Sequence, residues 1–102
     1  RVPPGEIPAP NLIHPYQSLI GARLRRLVEA KYRARGGFAE EEVTLRVAMN
    51  ASGTMRIQSI VSRDPILEDL IREVAHETRW PAPPSALGRE VVLPYLIRFR
   101  VD

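Results

Sequence analysis

Residues 42–62, EVTLRVAMNASGTMRIQSIVS, decide the fold. Val43, Leu45, Val47 and Met49 alternate with Thr44, Arg46 and Ala48, the period of a strand with one buried face. Asn50-Ala51-Ser52-Gly53 follows, a run of turn-forming residues ending in a glycine able to take positive φ. Residues 54–62 read as a second strand, and so short a connection joins the two as an antiparallel hairpin.

Downstream of the hairpin, Asp64-Pro65 predicts a helix start. Aspartate caps well, and proline at the first helical position lacks an N–H where none is needed. Ile66, Leu67, Leu70, Ile71, Val74 and Ala75 mark its apolar face. Pro81 ends it and pushes Trp80 toward extended geometry. Residues 90–101, EVVLPYLIRFRV, predict a last strand with Val91, Leu93, Tyr95, Ile97, Phe99 and Val101 on one face. Pro94 cannot donate to a ladder, so one side of that strand is expected to be unpaired there, and its length predicts an overhang beyond the hairpin.

Upstream, Ile20, Leu24, Leu27, Val28 and Tyr32 recur at helical spacing, with a start near Ser18 and a stop at Gly36-Gly37. Residues 1–15 hold five prolines and are expected to be the extended end of a linker, unable to nucleate a helix. The order helix, strand, strand, helix, strand predicts an α+β domain over residues 16–102. Its expected architecture is a small three-stranded antiparallel sheet with both helices on one face.

Aromatic residues make up only 6% of the chain, so the core must rest on Leu, Ile and Val, and the single tryptophan carries unusual weight. Pro83-Pro84 is expected to hold the chain extended across the end of the sheet, so that Trp80 folds its ring over the core and the link aims the last strand. Trp80, Pro81 and Gly53 are thus the expected structural residues.

A net charge of +3 without clustered stacking aromatics is not a nucleic-acid footprint. The absence of cysteine excludes disulfides and thiolate metal sites. His14 and His76 stand in no metal-binding spacing, and phosphate loops and nucleophile elbows are missing. Glu40-Glu41-Glu42 reads as a solvated loop. No enzyme chemistry, cofactor or metal is expected. No apolar run reaches the length that spans a bilayer. The chain opens on Arg rather than Met, and a fragment whose anchor or export signal lies elsewhere is expected.

Several stretches together resemble one family. They are RLRRLVEAKY; VTLRVAMN running into ASG; MRIQSIVSRDPILEDLIREVA; and RWPAPPSALGREVVLPYLIRF. In this order they resemble the C-terminal domain of TonB and TolA-like energy-transducing proteins, from Tyr16 to Val101. The Tyr-Pro pair usual in the TonB branch is replaced by Tyr32-Arg33-Ala34. The resemblance implies the periplasmic domain of an inner-membrane-anchored protein, driven by a proton-powered motor complex and gripping an outer-membrane or periplasmic protein. An exposed strand edge gives such a grip, because its backbone groups pair with any extended peptide. The expected edge is the last strand, through Val92, Leu93, Pro94, Tyr95, Leu96, Ile97, Arg98, Phe99 and Arg100. Arg98 and Arg100 either select an acidic segment or guard the edge against aggregation. A strand-exchanged homodimer is open to the same edge. The alternatives are a module of a secretion or gliding-motility machine and, behind it, a basic nucleic-acid-binding module.

Overall fold

The computed structural model describes residues 8–35 and 39–101. Its elements are helix α1 (Pro8–Ala34), strands β1 (Ala39–Asn50) and β2 (Met55–Val61), helix α2 (Pro65–Glu77) and strand β3 (Glu90–Val101), with a short 3₁₀ helix, Ser85–Leu87, before β3. The fold is α+β, with two helices and a three-stranded antiparallel sheet in the order β2-β1-β3.

The hairpin forms as the alternation predicts. The Gly53 N–H donates to the Asn50 carbonyl and the Asn50 N–H to that of Thr54, with Gly53 at φ 83°. The Asn50 side chain accepts from the Ser52 and Thr54 amides, so one residue organises the whole turn. The β1–β2 register slips between Arg46 and Val47, leaving Gln58 as the extra residue of a bulge.

α2 starts at its predicted cap. Asp64 Oδ1 accepts from the Ile66 and Leu67 amides, and Oδ2 accepts the Tyr32 hydroxyl of α1 at 2.5 Å. That bond, ahead of burial, pushes the Tyr32 hydroxyl pKa up. Leu67, Leu70, Ile71, Val74 and Ala75 are buried, whereas Ile66, expected on the same face, is exposed.

Two expectations fail at α1 and β1. α1 starts at Pro8, not near Ser18, so residues 8–15 are helical rather than an extended linker, with Pro15 inside the helix. Pro8 and Pro10 lie in the first turn, where amides have no intrahelical partner. Pro15 forfeits one bond, but its fixed φ is itself helical, and the buried Tyr16 beside it anchors the helix to the core. Residues 1–7 and the Gly36-Gly37 stop lie outside the described residues. β1 also begins earlier than expected. Glu40, Glu41 and Glu42 are strand residues facing Arg100, Phe99 and Arg98, not a loop. The cross-strand charges favour this: Glu42 and Arg98 approach to 3.8 Å. β3 therefore overhangs only the seven-residue β2, since β1 matches it at 12 residues.

The core lies between the helices and one sheet face. α1 contributes Tyr16, Ile20, Leu24, Val28 and Tyr32; the sheet contributes Val43, Leu45, Val47, Met49, Met55, Val91, Leu93, Ile97 and Phe99. Lys31 of α1 bridges Glu73 and Glu77 of α2, tying the helices together at their solvent edge.

Candidate partner-binding edge

β1 is the central strand, so β3 is an edge. In an antiparallel pair, alternate residues turn their backbone groups toward the partner strand and away from it. The Asn50 N–H bonds toward β2, so even-numbered β1 residues face β2 and odd ones face β3. In the observed register odd residues of β1 oppose odd residues of β3. Tyr95, Ile97 and Phe99 therefore spend their backbone groups on β1, and Pro94, Leu96, Arg98 and Arg100 turn theirs outward. Pro94, opposite Arg46, thus loses its N–H on the free side and leaves the ladder intact.

The nine expected edge residues divide accordingly. The side chains of Leu93, Ile97 and Phe99 are buried in the core. Tyr95 is half-buried. Val92, Pro94, Leu96, Arg98 and Arg100 are exposed, Leu96 to 67%. On the helix-free sheet face, Leu96 and Val61 flank Thr44 from opposite sides.

α1 runs beside this edge, and three of its residues touch it. The Gln17 side-chain amide donates to the Pro94 carbonyl at 2.5 Å. Glu29 Oε2 accepts the Arg100 N–H at 2.8 Å. Gly21 lies against the Tyr95 ring so closely that a Cβ there would sit 2.7 Å from Cε1. The Tyr95 hydroxyl, past that contact, donates to the Gln17 carbonyl at 2.7 Å, and burial pushes its pKa far up. The only signal of this in the sequence was Gly21 itself, a helix-weakening residue amid a strong apolar period.

Above and below these contacts α1 and β3 leave a groove of about 650 Å³. Its helix wall includes Ser18, Gly21, Ala22 and Arg25, and its strand wall is residues 94–98. Among the described residues no side chain bonds to the outward backbone groups of Leu96 or Arg98.

The segment after α2 holds the far end of β1 and β2. Trp80 is buried, its indole N–H donating to the Ala75 carbonyl at 3.2 Å and its backbone N–H to the Gly53 carbonyl at 3.3 Å. The Tyr16 hydroxyl donates to the Pro81 carbonyl at 2.7 Å. Turn, helix exit and α1 thus meet at Trp80-Pro81, and Pro83 is buried beyond them.

Among the described residues no cluster of three or more His, Cys, Asp or Glu side chains is placed to hold a metal, and no helix is long and apolar enough to cross a membrane. No family model matches the chain, and neither curated proteins nor solved structures give a significant match.

Proposed function

We propose that this chain is the periplasmic, partner-gripping C-terminal domain of a TonB-family energy transducer. It binds an extended segment of an outer-membrane or periplasmic protein by strand addition along β3. It transmits force from a proton-driven motor in the inner membrane. The observation that supports this reading is the open edge at Leu96 and Arg98, whose outward N–H and C=O groups have no bonded side chain among the described residues. Each added backbone bond contributes a net of about 1 kcal/mol, and bonds loaded together along a strand resist shear while still releasing. The resemblance along residues 16–101 supplies the rest. A module of a secretion or gliding-motility machine would use the same edge, and an N-terminal transmembrane helix in the longer protein favours the transducer over it.

Proline at Leu96 or at Arg98 tests the reading. Both residues turn their N–H away from β1, as Pro94 does, so the ladder survives either substitution. The expected result is an unchanged circular dichroism spectrum and thermal transition with loss of retention of outer-membrane and periplasmic proteins. Undiminished retention by the folded variants overturns strand addition at β3.

A further inference from the structure

The same contacts that dock α1 also restrict what β3 can accept. Outward groups recur at every second residue, from Val92 through Pro94, Leu96 and Arg98 to Arg100. At Pro94 the donor does not exist, and the acceptor is engaged by Gln17. At Arg100 the donor is engaged by Glu29 in a charge-assisted bond, which is stronger than a neutral one. Between these two stops only Leu96 and Arg98 offer both a free N–H and a free C=O.

The helix wall of the groove fits a peptide backbone rather than bulky side chains. Ser18 and Ala22 are small, and they leave room beside the Tyr95 ring that packs on Gly21. The charge of the lining is one-sided. Arg25, Arg98 and His14 line the groove, and no carboxylate is among its described lining residues. Among the described residues Arg98 is held by its 3.8 Å contact with Glu42 alone, and its side chain is 67% exposed, so it can turn to an incoming carboxylate. Glu29, four residues beyond Arg25 on the helix, places negative charge at the Arg100 end. An acidic side chain is therefore attracted near Arg25 and Arg98.

We infer that α1 sets the length and register of the partner strand: the groove takes a short, acidic, extended segment paired with Leu96 and Arg98 alone, with Gln17 and Glu29 as end stops. This rests on the strand-addition reading and adds to it the chemistry of the segment and the limits of its pairing.

The test uses the full chain, isotope-labelled, with end-blocked peptides of about eight residues that alternate Val and Thr around a central Asp-Val-Glu. Control peptides replace the acids with Asn and Gln, or with Lys. The expected result is slowed amide exchange at Leu96 and Arg98, with Arg100 unchanged. The acidic peptide should bind about tenfold tighter than the neutral one at low salt, and the lysine peptide weakest. Lengthening the acidic peptide toward Arg100 should add nothing in the wild type. In Glu29→Ala the longer peptide should gain affinity and protect the Arg100 amide. Glu29→Gln keeps an acceptor oxygen and should keep the stop. Wild-type pairing that runs through Arg100, or equal binding of acidic and lysine peptides, overturns this inference while leaving strand addition standing. No protection of Leu96 or Arg98 by any of the peptides overturns strand addition itself.

Discussion

Gly53 and Trp80 are in backbone contact: a Cβ on residue 53 would sit 2.2 Å from the Trp80 carbonyl oxygen, while the Trp80 N–H donates to the Gly53 carbonyl. The turn glycine serves two ends at once, a φ of 83° and room for the chain leaving α2. Gly88, at φ 93°, has open space around its missing Cβ. Gly88→Ala should therefore cost the conformational strain alone, about 1–3 kcal/mol, and Gly53→Ala clearly more, because the Trp80 backbone must also move. Urea unfolding of the two variants compares them directly.

Trp80 makes up for the scarcity of aromatic residues. Trp80→Ala should lose about 3–5 kcal/mol, a large share of the stability of a domain of this size. Trp80→Phe keeps a ring but leaves the Ala75 carbonyl without its donor, and about 1–3 kcal/mol is expected. Chemical denaturation checks both values. In the wild type the single tryptophan should emit at short wavelength and shift red on unfolding.

Gly21→Ala sets two effects against each other. The substitution gains about 1 kcal/mol of helix propensity, yet its methyl must displace the Tyr95 ring, which is pinned by the bond to Gln17. Net destabilisation is expected, with Gly21→Ala less harmful in a Tyr95→Ala background. A double-mutant cycle should return a coupling above about 0.5 kcal/mol.

The tyrosines make the fold sensitive to alkali. Burial raises the Tyr95 and Tyr16 hydroxyl pKa values, and the Asp64 bond raises that of Tyr32. A hydroxyl that ionises later in the folded than in the unfolded chain stabilises the fold fully below about pH 10 and less as pH climbs through its folded value. Stability should thus fall as pH rises above about 10. Lys31, raised by Glu77 and Glu73, acts in the same direction. Tyr95→Phe should reduce that slope in pH-dependent unfolding, at a cost near neutrality of about 1 kcal/mol for the lost Gln17 bond.

The amino-acid sequence by itself determined the order of elements, the buried faces of β1 and β3 and the α2 cap. Those signals are local. Alternation at Val43, Leu45, Val47 and Met49, the Asp64-Pro65 start and the Asn50-to-Gly53 turn each depend on neighbours a few residues away. Where the local rule was a penalty rather than a pattern, it misled. Prolines argued against a helix over residues 8–15, and three successive glutamates against a strand, yet the first segment is held helical by the anchor at buried Tyr16 and the second is offset by Arg98 and Arg100 across the ladder. Only the tertiary structure decided that β1 lies between β2 and β3, and that α1 runs along the free edge of β3. Gln17 meets Pro94 across 77 residues and Glu29 meets Arg100 across 71. No spacing along the chain encodes such contacts, because they form only once the core has set the height and direction of α1 against the sheet.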